Sequence, residues 1–443
     1  QLSESISFTD TAAGSATCVE ITIGSVTFCP ALITGTYTID ETTEHVDLGV
    51  GSEPNRQAFG SGIANMGDWD GDGISEIAVS ATRGLGAYNS YANTFSNDDH
   101  GAVYILFLDS TGAPKSVAVI DKDTTNGPGS TALSGYGSGI ANIGDLDGNG
   151  VDDLVVGNFL EDSGKGAVYI HYMKSDGTLE KASAVLKNGV ANMPTLDAGD
   201  EYGIDIANMG DMDGDGVNDL AVGEIGKGSA SAQGHVHIHL MNADESIKST
   251  TKITGHSSSN MPDDRTSSYY GGFGTAIVSL GDQDGDGVND IAVGASLEGY
   301  SMDTDGISGS DYEMAKGGVY ILNMKTDGTV KTSYRINEDT PNGPEIWGIK
   351  WGSSGYNTGQ FGSSLAVAKI NADYTMDLIV GSPSDGTVGA KEGAIWTIFY
   401  NGPTNYPVVE LEESITLTDE MTVHPTVSLL ESVSLTDVNS GTL

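Results

Sequence analysis

Asp282-Gln283-Asp284-Gly285-Asp286-Gly287-Val288-Asn289-Asp290 places side-chain oxygens at its first, third, fifth and ninth positions and a glycine at its sixth. Ile291-Ala292-Val293-Gly294 follows at once, with no room for a helix start. Carboxylates this dense repel one another unless a hard cation sits between them, and the spacing is that of a calcium loop. Three close copies lie upstream. The ligands expected are Asp68, Asp70, Asp72, the Ile74 carbonyl and Glu76 in the first loop, then Asp145, Asp147, Asn149, the Val151 carbonyl and Asp153 in the second. The third offers Asp211, Asp213, Asp215, the Val217 carbonyl and Asp219; the fourth offers Asp282, Asp284, Asp286, the Val288 carbonyl and Asp290.

An EF-hand would place a bidentate glutamate at the twelfth position, where these loops carry Val79, Val156, Val222 and Val293 inside apolar runs. A strand–loop–strand site remains. Oxygen-only donors favour Ca2+ over Zn2+, which takes His or Cys, and over Mg2+, which wants a strict octahedron. The expected role of the ions is structural, fixing a long turn between two core strands. A fifth copy is decayed: Lys369 replaces the first ligand and Tyr374 the bend glycine, leaving Asn371, Asp373 and Asp377, so no metal is expected there.

The loop belongs to a longer unit that recurs from about residue 35. Each unit opens on an aromatic-Gly strand: Phe59-Gly60, Tyr136-Gly137, Tyr202-Gly203, Phe273-Gly274 and Phe361-Gly362. After the loop comes an apolar strand such as Glu76–Val79. A third strand starts on glycine, as in Gly101-Ala102-Val103-Tyr104, Gly166-Ala167-Val168-Tyr169 and Gly318-Val319-Tyr320; a turn such as Ser175-Asp176-Gly177 leads to a fourth, such as Ser116–Ile120. Loop starts are 77, 66, 71 and 87 residues apart. The fold class expected is all-β, a β-propeller of four-stranded blades with strand segments flanking it at both ends.

The aromatic-Gly opening, the Asp-x-Asp-x-Asp-Gly-x-x-Asp loop and the Gly-Ala-Val-Tyr strand resemble the FG-GAP repeat of integrin α-subunit heads. The resemblance covers about residues 35–401. Integrin heads carry seven such repeats and five are counted here, so five blades are expected with seven as the alternative. The resemblance also implies adhesion to a partner through the face away from the calcium loops.

Three regions are expected: an N-terminal β-segment over 1–34, the propeller over 35–401, and a C-terminal strand tail over 402–443. Cys18 and Cys29 flank a hairpin-like stretch, Val19–Phe28, and a disulfide across it is the first reading, with two buried thiols as the alternative. Thr36–Asp40 matches Val117–Asp121 in its place before an aromatic-Gly strand, which suits it to complete the last blade and close the ring; Pro407–Glu410 is the other candidate. Glu413–Asp419 and Glu431–Asp437 copy Glu4–Asp10 almost residue for residue, so end strands could pair within one molecule or between molecules.

Composition narrows the function. The 443 residues carry 62 Asp and Glu against 19 Lys and Arg, a formal charge of −43, which repels nucleic acid and anionic membranes. No apolar run approaches the roughly 20 residues of a membrane span; the longest is Ala102–Leu108. Calcium loops and a disulfide both point outside the cytoplasm, to an extracellular or cell-surface chain read as mature after cleavage of a signal peptide not present in it. No Asn-x-Ser/Thr sequon occurs.

In a four-stranded meander the metal loops share a face with the turns between strands three and four. The opposite face receives the long connections, which carry Tyr88, Tyr91, Tyr269, Tyr270, Tyr300, Trp347 and Trp351. These form the candidate ligand face, aromatics on long loops being favoured anchors; packing of the loops onto the scaffold is the alternative. His235, His237 and His239 alternate on one strand and suggest an outer strand face more than a transition-metal site, since His171 holds the place of His239 in its own unit. No triad order, nucleophile elbow, phosphate loop or catalytic cysteine stands out, and Asp205 is the one acid on a channel-facing strand. The reading is therefore a non-enzymatic surface structural or adhesion protein that binds a protein or glycan, possibilities extending to filaments built by strand exchange through the termini. A monomeric adhesin or glycan-binding lectin is the alternative, and a propeller glycoside hydrolase ranks below both.

Overall fold

Five antiparallel sheets succeed one another along the chain, each a simple meander. The computed structural model describes residues 7–10, 19–23, 26–28, 59–82, 101–129, 135–226, 234–255, 260–261, 271–298, 317–337, 340–341, 344, 360–370, 376–383 and 394–399. The chain divides into two units, Gln1–Pro403 and Thr404–Leu443, and every described residue lies in the first. Near the N-terminus β1 (Ser7–Asp10), β2 (Val19–Ile23) and β3 (Val26–Phe28) form a small sheet, in which β2 and β3 make the hairpin expected between the cysteines. Cys18 and Cys29 themselves, Thr36–Asp40 and the tail strands lie outside the described residues.

Blade 1 comprises β4 (Phe59–Gly67), β5 (Glu76–Ala81), β6 (Ala102–Leu108) and β7 (Pro114–Ile120). Blade 2 comprises β8 (Tyr136–Gly144), β9 (Asp153–Asn158), β10 (Ala167–His171) and β11 (Ala184–Lys187), with a single helical turn α1 (Glu161–Gly164) after β9. Blade 3 is β12 (Ile206–Gly210), β13 (Asp219–Glu224), β14 (His235–Met241) and β15 (Ile247–Thr254); blade 4 is β16 (Phe273–Gly281), β17 (Asp290–Ala295), β18 (Gly318–Met324) and β19 (Val330–Ile336). Blade 5 shows β20 (Ser364–Ala368), β21 (Asp377–Ser382) and β22 (Ala394–Ile398) among the described residues. The architecture is the five-bladed propeller expected.

Alternation along each strand builds the core between blades, not within one. Val103, Ile105 and Phe107 of β6 pack with Tyr136, Leu154 and Val156 of blade 2, and the same interdigitation recurs from blade 2 to 3, 3 to 4 and 4 to 5. Each buried aliphatic side chain in such a layer contributes about 1.5–3 kcal/mol of transfer free energy. Blade 5 departs from the pattern on its far side: Ile395 is 78% exposed, whereas Val319 at the same register in blade 4 is fully buried.

The two repeat motifs meet across blade boundaries. Tyr202 bridges Gly166 of the preceding blade, as Phe273 does Gly234 and Phe361 does Gly317. A Cβ at Gly166 would lie 1.9 Å from the Tyr202 carbonyl oxygen, so only glycine admits the contact. In blade 4 this place belongs to Gly317, one residue before the Gly318 read from the sequence. The innermost strands surround a cavity of ≈ 480 Å³ lined by residues of all five blades, among them Ser61, Ser138, Asp205, Thr275 and Ser363.

Candidate metal centres

Each acidic loop joins the first strand of a blade to its second and is already shaped by its own hydrogen bonds. The first-position aspartate organises it: Asp211 Oδ1 accepts Gly214 N–H at 2.7 Å and Asp215 N–H at 2.9 Å, and Oδ2 accepts Gly216 N–H at 2.8 Å. Asp68, Asp145 and Asp282 do the same in their loops. The bend glycines Gly73, Gly150, Gly216 and Gly287 sit at φ 88–89°, the left-handed region that side chains disfavour. A bulge sets up the entry, with Gly210 N–H donating to Asn208 Oδ1 at 2.7 Å and Gly144 N–H to Asn142 Oδ1 at 2.7 Å.

In every one of the four loops the first, third and ninth carboxylates converge, each offering an oxygen within 4.8 Å of the others: Asp68, Asp70 and Glu76; Asp145, Asp147 and Asp153; Asp211, Asp213 and Asp219; Asp282, Asp284 and Asp290. Calcium–oxygen bonds of about 2.3–2.6 Å allow three such oxygens to share one ion. Glu76 Oε1, Asp213 Oδ1 and Asp284 Oδ1 are buried with no hydrogen-bond partner. An unpartnered buried carboxylate oxygen is costly, and a cation in the cradle would satisfy it. The donor set, all oxygen, fits Ca2+.

The ninth carboxylate has a second role that the linear motif did not reveal. Asp153 Oδ2 accepts Leu146 N–H at 2.9 Å within the loop while Oδ1 accepts Met173 N–H at 2.8 Å from the end of the third strand. Asp219 and Asp290 repeat this with Met212 and Met241, and with Gln283 and Met324. Burial pushes these three carboxyls up to about 6 and raises Glu76 as well. In blade 5 Asp377 Oδ2 still accepts Ile370 N–H at 2.9 Å, although Lys369 stands where the first ligand would be. The capping role survives there; Asn371, Asp373 and Tyr374 lie outside the described residues.

The fifth-position residues point elsewhere. Asp72 Oδ1 accepts Ile74 N–H at 2.8 Å, Asn149 Oδ1 accepts Val151 N–H at 2.8 Å, and Asp215 and Asp286 cap Val217 and Val288 at 3.0 Å. The outer oxygens of Asp72, Asp215 and Asp286 meet lysines from the start of the fourth strand. Lys248 Nζ lies 2.6 Å from Asp213 and 2.8 Å from Asp215; Lys331 Nζ lies 2.7 Å from Asp284 and 2.6 Å from Asp286. Lys115 contacts Asp70 at 2.7 Å and also Asp72. Hydrogen bonds from these ammonium groups hold Asp72, Asp215 and Asp286 below the usual carboxylate range. The contacts place the third-to-fourth-strand end of blades 1, 3 and 4 beside the acidic loop, as expected for a meander.

At the other end of the second strand a different acid recurs. Glu161 accepts the Tyr169 hydroxyl at 2.7 Å and has Lys187 Nζ at 3.4 Å; Glu224 is hydrogen-bonded to His237 Nε2 and has Lys252 Nζ at 3.2 Å; Glu298 accepts Arg335 Nη1 at 3.0 Å. All three are buried. His237 and His239 are also fully buried, which corrects the outer-face reading. They stack at 6.0 Å, but His239 Nε2 pairs with the Tyr202 hydroxyl at 2.7 Å, as His171 Nε2 pairs with that of Tyr136 at 2.6 Å. Each imidazole is thus committed to its own partner. Tyr88, Tyr91, Tyr269, Tyr270, Tyr300, Trp347 and Trp351 lie outside the described residues.

The class this defines is a five-bladed β-propeller with acidic loops between the first and second strands. No family model matches the chain. Among curated proteins it is similar to integrin alpha-4 of Xenopus laevis, 31% identical over 148 residues that make up 32% of this chain and 13% of that protein. It is also similar to integrin alpha ina-1 of Caenorhabditis elegans, 24% identical over 54% of this chain and 20% of that protein. Integrin alpha-3 of Mus musculus is 29% identical over 55% of this chain and 19% of its own length. The chain thus matches a fifth or less of the length of these relatives, and it resembles them as an FG-GAP-type propeller. No helix among the described residues is long and apolar enough to cross a membrane.

Proposed function

We propose that the chain is a calcium-stabilised, cell-adhesion-type β-propeller that works outside the cell as a surface structural or adhesion protein. The observation that carries the reading is the set of unpartnered carboxylate oxygens facing into acidic loops on a propeller similar to integrin α subunits. Asp68, Asp145, Asp211 and Asp282, with the third and ninth carboxylates of each loop, would hold the ions. A bound ion neutralises the loop and locks the turn between the first two strands of its blade. Each site would add about 2.7 kcal/mol at a hundredfold excess of ion over its dissociation constant. Thermal melting in chelator should therefore begin well below melting in Ca2+ and recover when Ca2+ is restored. An unchanged melt in metal-free protein would sink the reading.

The partner surface belongs, in this reading, to the face away from the loops, and the partner is a protein or glycan at the cell surface. Support comes from the placement of the third-to-fourth-strand ends beside the metal loops, which leaves the longer connections to the other face. The proposal includes a non-enzymatic role, supported by the similarity to integrin α subunits; Asp205 lines the central cavity. Asp205 is moreover engaged by Ile277 N–H of the next blade at 2.7 Å. Assembly through the end strands is the finer form of the proposal. Its support is β1 together with the sequence copies at Glu413–Asp419 and Glu431–Asp437. Electron microscopy of the purified chain would show filaments if it is right and single propellers if it is wrong.

A further inference from the structure

The four loops are not equivalent, and their differences are paired. Aligned on the turn between strands three and four, the second residue of the fourth strand is Lys115 in blade 1, Lys248 in blade 3 and Lys331 in blade 4. In blade 2 the same alignment gives Glu180, which is exposed. The fifth loop position changes with it: Asp72, Asp215 and Asp286 where the partner is lysine, Asn149 where it is glutamate. Each lysine bridges the outer oxygens of the third and fifth carboxylates, and in blades 3 and 4 it leaves the inner Oδ1 of the third one without a partner. Asn149 instead ties its amide to the Met173 carbonyl at 2.8 Å.

Charge counting shows what the pairing preserves. Counted at the first, third, fifth and ninth positions, loops 1, 3 and 4 hold four carboxylates and one ammonium in contact with them; loop 2 holds three carboxylates and no ammonium, its extra Asp152 at the eighth position accepting the Asn142 amide at 2.8 Å instead. At those four positions each loop therefore presents the same formal charge of −3 to an incoming ion. An isolated Asp-to-Asn change would leave −2, and an isolated loss of lysine −4. Because these charges sit within a few ångströms of the ion, one unit either way matters.

We propose that Lys115, Lys248 and Lys331 are built-in counter-cations that hold their loops together before the ion arrives and set how tightly it binds, and that blade 2 reaches the same setting with Asn149 and no lysine. The lysines are positioning residues: they touch the ligand carboxylates from outside and leave the cradle open. The inference rests on the divalent-cation reading above.

Loop 1 offers a private signal, since Trp69 lies between two of its ligands while Leu146, Met212 and Gln283 hold that place in the other loops. Tryptophan-sensitised luminescence of Tb3+, displaced by Ca2+, reports affinity in the full chain, and Trp69→Phe identifies the loop 1 component. Lys115→Gln should tighten Ca2+ binding at this site about tenfold and Asp72→Asn should weaken it about tenfold, the scale of one unit charge near the ion. The double variant should return to within about threefold of the parent, because the charge is again −3. Lys115→Gln should also lower the melting temperature in chelator. A parent protein with no Trp69-dependent Tb3+ signal would overturn the cation reading itself. A normal signal with affinity unchanged or weakened by Lys115→Gln would overturn the counter-cation role alone.

Discussion

The two ends of a blade handle buried acid in opposite ways. Away from the loops, Glu161 and Glu224 are satisfied from within: a lysine of the fourth strand approaches each, and a ring group bonds to each. At the loop end, carboxylates converge and inner oxygens are left over even after lysine has been supplied. The first arrangement is complete as folded and the second awaits something from solution. Burial of charge is thus no sign of a binding site by itself; converging carboxylates with an oxygen left over are.

Three experiments probe that contrast, starting with the largest effect. Glu224→Ala leaves His237 and Lys252 without their acceptor, so chemical denaturation should show a loss of about 3 kcal/mol, the same with and without Ca2+. A calcium-dependent loss would erase the distinction between the ends. Asp219→Ala removes the acceptor of two buried N–H groups and should cost about 2 kcal/mol even in chelator. Asp213→Asn should cost under about 1 kcal/mol in chelator, since only an exposed lysine is lost, and should abolish stabilisation by Ca2+ at that blade. Equal costs in chelator would show that the ninth carboxylate has no separate capping role.

The smallest effect concerns the buried histidines. Desolvation depresses His171 and His239 from 6.5 to about 3, so the folded protein keeps both neutral. A depressed imidazole contributes stability that is complete above about 6.5 and is lost as pH falls towards 3. Blades 1 and 4 carry Phe59 with Leu106 and Phe273 with Leu322 in the same places. Copying that pair, as Tyr202→Phe with His239→Leu, should flatten the decline of melting temperature between pH 6.5 and 4 relative to the parent. Parallel curves would remove these histidines from the account.

Much of the fold was legible because the signals were local and repeated: an aromatic-Gly pair, an acidic loop with its bend glycine, and a strand opening on glycine. The first and third ligand positions followed from the same local spacing. What escaped were relations across strands. The lysine that meets Asp213 and Asp215 lies on β15, and the methionine N–H that meets Asp219 ends β14, so neither is visible in a nine-residue motif. Alternation placed His235, His237 and His239 on one face but could not say that His237 and His239 are buried there against Glu224 and Tyr202. Setting the repeats side by side would have exposed two clues, Tyr with His against Phe with Leu, and Asp with Lys against Asn with Glu. The Tyr and Trp residues of the long connections were legible only as candidates.

One small feature reaches beyond stability. Asn142 Nδ2 donates to the Asn65 carbonyl and Asn208 Nδ2 to that of Asn142, each at 3.0 Å, while Asn218 and Asn289 donate to Ile143 and Met209 of the blade before. Every one of these amides reaches towards the N-terminus. During synthesis each acceptor has therefore left the ribosome before its donor exists, and a newly made blade meets a finished surface to dock on. At the metal-loop end the contacts between blades thus run backwards along the chain, whereas Asn192 and Asn260 donate forwards, to Ile247 and Val330.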